Sequence, residues 1–343
     1  MRVSPSSFSS FVQVSCGQPR RSALAAIGTP CILKTRRLGY DGKGQVRVRN
    51  EFISVDPYMR GRMVDEKSYV EPFALGETMD GGAVGRVIAS RSADLSEGTL
   101  VSHQQGWRDL AQGDAADFRA VPEPGGLPSS AYLSVLGMTG LTAYTGLTRA
   151  ASFREGDTVF VSGAAGAVGS MVGQIARQLG AERVIGSAGS PEKVRLLTEK
   201  YGFDAAFDYK QAPVREQLPE HAPDGIDVYF DNVGGDHLEA ALDVLNRGGR
   251  VAACGAISQY NETERQPGPD NMVNLIKNSL TLHGFTVGDY LDCAEEFNRR
   301  MSGWLAEGKI VWDETVVDGL DHAVEAFLSM MRGANTGKMV VRI

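Results

Sequence analysis

The sequence predicts an α/β protein in two parts, a β-rich, barrel-like unit followed by a doubly wound parallel sheet with helices on both faces. Three observations lead there. The chain has 343 residues, more than one compact unit usually holds, and a length prior of about 150 residues per domain suggests two. Its first part carries short strand-like runs punctuated by glycine, and its second alternates apolar runs with helical segments of 10–15 residues. Between them VPEPGGLPSS (121–130) is the most loop-like stretch of the chain and marks the boundary.

The elements follow in order. GQVRVRNEFISVDPYM, from Gly44, places Val46, Val48, Phe52 and Val55 in short strands, and GGAVGRVIAS (81–90) and GTLVSH (98–103) continue in that style. Beyond the boundary DTVFVS (157–162) reads as a buried strand and GAVGSMVGQIARQLG (166–180) as a helix ended by glycine. A strand (182–189), a helix (191–202) and a strand (204–209) come next. IDVYFDNVG (226–234) is a strand, HLEAALDVLNRGG (237–249) a helix and RVAACGAIS (250–258) a strand. Strand–helix alternation of this kind makes βαβ units and a sheet buried on both faces. FNRRMSGWLAEGKI (297–310) and the segment from Asp321 to Ile343 give helices and a closing strand.

Composition narrows the function classes. The net charge is −7, which disfavours nucleic acid or an anionic membrane as a partner, since either calls for a basic face. No apolar run approaches the ~20 residues that span a bilayer. The four cysteines, Cys16, Cys31, Cys254 and Cys293, form no CxxC pair, so neither a disulfide framework nor a zinc lobe is expected, and a reducing, cytoplasmic setting fits. Residues 1–40 contain no Asp or Glu. That suits an organellar transit peptide, a disordered tail or a mis-called start of the coding sequence.

The chemistry-bearing signal is SGAAGAVGS (162–170). The dinucleotide fingerprint G-x-G-x-x-G is met with Ala164 in its first position, then Gly166 and Gly169. Gly166 lets backbone approach a pyrophosphate, Gly169 lets the helix pack close to the strand, and the helix start offers free N–H groups to phosphate. An NAD site usually places an acid about 20 residues on, to bind the ribose 2′-hydroxyl. Here Gly186, Ser187, Ala188, Gly189 and Ser190 stand in its place, followed by Lys193. A neutral strand end beside a cation suits a 2′-phosphate, so the expected cofactor is NADPH.

Other chemistries lack their residues. The five histidines are isolated, no cysteine lies in the ordered part of the first domain, and no metal site is expected. No tyrosine has a lysine four residues on, and neither a G-x-S-x-G elbow nor a P-loop is present. The best-placed polar groups are the phenols of Tyr58 in VDPYMRGRM and Tyr260 in GAISQYN, though a packing role is the commoner fate of such tyrosines.

Taken together, VDPYMRGRM, LGETMDGGAVGRV, LGMTGLTAYTGL, GAAGAVGSMVGQIA, GSPEKVRLL, PDGIDVYFDNVGG, CGAISQYN and GKMVVRI resemble the zinc-independent branch of the medium-chain dehydrogenase/reductases. The likeness is to its prostaglandin reductase/leukotriene B4 12-hydroxydehydrogenase group, which includes plant alkenal double-bond reductases and bacterial curcumin reductase. It runs from about Gly42 to Ile343, while residues 1–40 depart from the family pattern and put barrel closure in question.

The resemblance implies a GroES-like catalytic domain (41–125) interrupted by a Rossmann NADP-binding domain (126–292), with 293–343 returning to the first. It implies a cofactor site made by Gly166, Ala167, Val168, Gly169 and Ser170 at the pyrophosphate, with Gly189, Ser190, Lys193 and Tyr209 at the adenosine phosphate. Asn232, the run Cys254, Gly255, Ala256, Ile257, Ser258 and Tyr260, then Phe285, Thr286, Val287 and Asn335 complete it. Tyr58 and Tyr260 would border an α,β-unsaturated aldehyde or ketone whose C=C bond is reduced by hydride transfer to the β-carbon. Homodimers are the family habit. A quinone reductase and a non-catalytic nucleotide-binding protein are the alternative readings.

Overall fold

The computed structural model describes residues 44–264 and 266–343. The expectations for residues 1–40, a transit peptide among them, lie outside the described residues. In the first unit, β1 (Gln45–Ser54), β2 (Ala83–Ser90), β3 (Leu100–His103), β4 (Leu110–Asp114) and β5 (Arg119–Ala120) pair antiparallel. Val46, Val48 and Ile53 of β1 are fully buried. Irregularities at Arg47/Val48 and Asn50/Phe52 bend β1 against β2, as bulges do where a sheet curls.

The second unit begins with α1 (Met138–Thr145) and continues through β6 (Thr158–Val161), α2 (Ala167–Gln178), β7 (Arg183–Ala188), α3 (Pro191–Glu199) and β8 (Ala205–Asp208). Then come α4 (Val214–His221), β9 (Ile226–Asp231), α5 (Gly235–Val244) and β10 (Leu245–Ala253). After the single turn Asn274–Lys277 follow β11 (Thr281–Gly284) and α6 (Ala294–Ala306). The six strands are parallel in the order β11-β10-β9-β6-β7-β8. Strand pleating sends alternate residues to opposite faces. Val159, Val161, Val228 and Phe230 accordingly join one core with α2, while Phe160, Ile185, Tyr229 and Val251 join another with α5. The order reverses between β6 and β9. In an open parallel sheet, ligands bind outside the carboxyl ends of the strands at such a switch point.

The chain rejoins the first sheet through β12 (Glu314–Asp318), α7 (Ala323–Met331) and β13 (Lys338–Arg342), with β13 antiparallel to β1. Helix α6 still packs Phe297 and Met301 on the parallel-sheet core.

Several expected bounds are corrected. β9 stops at Asp231 instead of running to 234, because the Asp231 carboxylate accepts the N–H groups of Val233 and Gly234 (2.9 and 2.7 Å) and turns the chain into α5. The helix expected to 249 ends at Val244, and β10 occupies Leu245–Ala253 instead of 250–258. Leu245 is extended and pairs with Ile226, so the β9 edge overrides the helical pattern of LNRGG. The helix expected over 297–310 starts earlier and ends at Ala306.

Candidate active site

At the end of β6 the chain turns at Gly163, whose φ of +58° is the left-handed conformation glycine adopts without cost. Gly166 is the residue before the first turn of α2, and Ala167, Val168, Gly169 and Ser170 form that turn. A Cβ on Gly169 would lie 2.5 Å from the Gly163 carbonyl oxygen and 2.8 Å from the Ala164 Cα. Only glycine therefore lets α2 start this close to β6. Beyond the Gly163 oxygen at 3.2 Å, nothing crowds a Cβ on Gly166, which leaves the face over the helix start open to a ligand. This is a cradle a pyrophosphate fits.

Adjacent strand ends extend the edge. Ser190 caps α3, its hydroxyl accepting the Lys193 N–H at 3.3 Å. Tyr209 follows β8 and donates its N–H to Ala188 at 3.1 Å, which sets its ring against Gly189. The Lys193 ammonium donates to the Gly333 carbonyl at 2.7 Å. Burial and then the nearby Lys210 charge lower the Lys193 pKa. On the other side of the switch point Asn232 holds Ser162 through both its N–H and its side-chain amide (3.0 and 2.8 Å). The run Cys254–Ser258 continues from the end of β10 and is tied to the turn after β9 by Ser258 Oγ donating to the Val233 carbonyl at 2.6 Å. Phe285 packs edge-on against Phe230, and Asn335 Nδ2 donates to the Gly337 carbonyl at 2.8 Å. Gly337 in turn donates its N–H to Ala165 at 2.9 Å, so the loop before β13 lies against the glycine turn. Gly166–Ser170, Gly189 and Ser190, Asn232 and Cys254–Ser258 thus follow the carboxyl ends of β6, β7, β9 and β10, while the Lys193 ammonium is turned onto the loop before β13.

The two phenols come from different units. Tyr58 stands in the short helical segment Pro57–Met63, where burial and then the Asp56 carboxylate push its pKa well above a phenol's ordinary value. Burial also raises that of Tyr260. The Tyr260 oxygen accepts the Ala256 N–H at 3.4 Å, which leaves its own proton to donate. Arg60 Nε donates to Asn261 Oδ1 at 3.1 Å, and so joins the two tyrosine segments. Burial pushes the Cys254 thiol up to about 12, so it stays protonated.

Three features escaped the sequence reading. Ser162, Tyr229 and Asp231 form a buried polar cluster under the switch point, with the Tyr229 hydroxyl donating to Asp231 at 2.7 Å; burial holds the Asp231 pKa up. Tyr69 is an exposed loop residue whose pKa is raised, first by burial of its hydroxyl and then by the Tyr260 charge. Lys210 accompanies Tyr209. Only the acid within FDNVGG offered a signal in the sequence. Among the described residues no cluster of three or more His, Cys, Asp or Glu side chains is positioned to hold a metal ion.

A parallel sheet of this strand order with a glycine turn at its switch point, joined to an antiparallel first unit, defines a dinucleotide-binding oxidoreductase fold. Family models for the N-terminal domain of oxidoreductase (residues 31–121) and zinc-binding dehydrogenase (167–307) match the chain. The first begins ten residues ahead of the expected domain. The chain is 42% identical to the NADPH-dependent curcumin reductase of Escherichia coli, over 88% of each chain. It is 42% identical to the NADP-dependent 2-alkenal reductase of Nicotiana tabacum, also over 88% of each. CurA from Vibrio vulnificus, solved with NADPH, superimposes with a TM-score of 0.83 at 42% identity, covering 91% of this chain and 93% of that one. The chain belongs to the zinc-independent medium-chain dehydrogenase/reductases, in the group of the curcumin, 2-alkenal and prostaglandin reductases.

Proposed function

We propose that this protein reduces the C=C bond of α,β-unsaturated aldehydes and ketones with NADPH. The single observation that carries the reading is that a phosphate-binding turn and a proton-bearing phenol, Tyr260, both lie beyond the carboxyl ends of the parallel strands, after β6 and β10, which flank β9. NADPH, when bound, supplies a hydride to the β-carbon. Gly166–Ser170 would hold its pyrophosphate, Lys193 and Tyr209 its 2′-phosphate end, and Asn232, Cys254–Ser258, Phe285–Val287 and Asn335 the rest.

The chain's own residues bind, orient and stabilise. As negative charge develops on the substrate oxygen, a neutral donor aimed at it strengthens in the transition state and lowers the barrier. Tyr260 suits that role because its oxygen already accepts a backbone N–H, and burial keeps it protonated. Tyr58, with its raised pKa, orients the substrate from the opposite unit. The buried pair of Lys338 with Asp56 (2.6 Å) fixes the segment that presents Tyr58. We further infer a homodimer through β11, whose four residues are all exposed on the sheet edge, next to an exposed Ile276; its mass in solution tests this.

The decisive assay follows loss of NADPH absorbance with 2-alkenals, enones and quinones side by side. Turnover of alkenals and enones with a saturated carbonyl product supports the reading. Turnover of quinones alone identifies a quinone reductase, and none with any of them points to a non-catalytic binder.

A further inference from the structure

Charge balance at the 2′-phosphate end leads to a residue that has no role so far. A phosphate monoester carries about −1.5 to −2 charge near neutral pH. Lys193 supplies a single positive charge, and one of its three protons is already given to the Gly333 carbonyl at 2.7 Å. Glu192, next in the chain, adds a negative charge that Arg195 offsets at 3.5 Å. A second cation is needed for a tight dianion site, and the fold provides one. β7 and β8 are adjacent and parallel, with Ala188 opposite Asp208, so the chain segments leaving them emerge side by side. Lys193 lies in the first and Lys210 in the second.

Lys210 is held in place by its backbone. The Asp208 carboxylate accepts the Lys210 N–H at 3.0 Å, and the Gln211 N–H closes the turn onto the Asp208 carbonyl, also at 3.0 Å. The ammonium stands 5.9 Å from the centre of the Tyr209 ring, a cation–π position. The Tyr209 hydroxyl lies against Gly189. Lys210 is also the charged neighbour that Lys193 senses. Two ammonium groups on segments leaving adjacent strand ends repel each other, and an anion placed between them removes the repulsion.

We propose that Lys210 is a specificity-determining residue that acts with Lys193 to select a 2′-phosphorylated dinucleotide over its 2′-hydroxyl counterpart. The proposal rests on the NADPH reading above. It also assigns Asp208 a positioning role, that of turning the chain so that Lys210 faces the end of β7.

Calorimetric binding tests it without turnover, using NADP⁺, NAD⁺, 2′,5′-ADP and 5′-ADP. A charge-assisted contact with phosphate is worth about 1.5–3 kcal/mol, and an exposed ammonium falls at the low end. Lys210→Gln is therefore expected to weaken NADP⁺ and 2′,5′-ADP about tenfold while NAD⁺ and 5′-ADP are unchanged, and Lys210→Arg to restore most of the loss. Wild-type protein that binds NAD⁺ as tightly as NADP⁺ would overturn the NADPH reading and this proposal with it. Wild-type protein selective for NADP⁺, with the same selectivity in Lys210→Gln, would overturn the proposal alone. Equal weakening of all four ligands would also overturn it, because it marks a general disturbance of the turn.

Discussion

Tyr260 carries the most chemistry per atom. Its oxygen receives the Ala256 N–H, and its environment opposes ionisation, so it remains a neutral donor across the physiological range. Removing a well-aimed donor from a developing oxyanion costs on the order of 10²-fold in kcat. Tyr260→Phe is expected to show that loss in steady-state reduction of a 2-alkenal, with cofactor affinity little changed. Full turnover in both Tyr260→Phe and Tyr58→Phe would remove the phenols from the mechanism. Gly169 bears on the cofactor instead. An added methyl meets backbone on two sides, and backbone cannot rotate away as a side chain can. Overpacking of this kind costs about 1–3 kcal/mol. Gly169→Ala should weaken NADP⁺ roughly thirtyfold at ~2 kcal/mol, measured by quenching of intrinsic fluorescence.

Among the elements, β13 brings the last part of the chain back onto the first sheet. It pairs with β1, precedes the chain end, and carries Lys338, whose ammonium is 2% exposed between the Val55 carbonyl and the Asp56 carboxylate (2.8 and 2.6 Å). Truncating one partner of a buried pair leaves the other charge without compensation, at about 3–5 kcal/mol. Lys338→Met should lower the unfolding free energy measured by urea titration by that much and impair substrate binding through Tyr58. Adding Asp56→Asn should recover part of the stability, because the stranded charge is gone. Nothing in the sequence KMVVRI marks this lysine as buried. The glycine turn, the neutral end of β7 and the strand alternation were legible, because backbone geometry and burial leave periodic marks. Tyr229 was not, since a phenol inside the apolar run IDVYFDNVG does not disturb its period. The short edge strand TLHG and the threonine-rich α1 also escaped, being set by neighbours in space instead of local propensity.

At the scale of the whole molecule, two buried histidines tie stability to pH. His103 in β3 accepts the Gln105 N–H on Nδ1 at 3.1 Å, so its proton sits on Nε2, which meets Asn50 Oδ1 at 2.9 Å. A second proton would have to face that N–H. His237 in α5 stacks near Phe160 and meets Tyr209 edge-on. Burial, the larger cause in both, lowers each pKa from 6.5 to about 4. As pH falls below 6.5 the unfolded chain takes up protons that the folded chain refuses. Stability is therefore fully present above that value and falls until about pH 4. At pH 5 this amounts to about 2 kcal/mol per histidine, a large part of a typical 5–15 kcal/mol total. Asp231 opposes the trend, since its raised pKa favours the folded state at the acid end. Urea unfolding at pH 7, 6 and 5 should show the midpoint falling steadily. His237→Phe keeps an aromatic face on Phe160 and removes one titrating group, so it should lose about half as much stability over that range. A wild-type midpoint that held level from pH 7 to 5 would mean that these rings do not resist protonation in the folded protein.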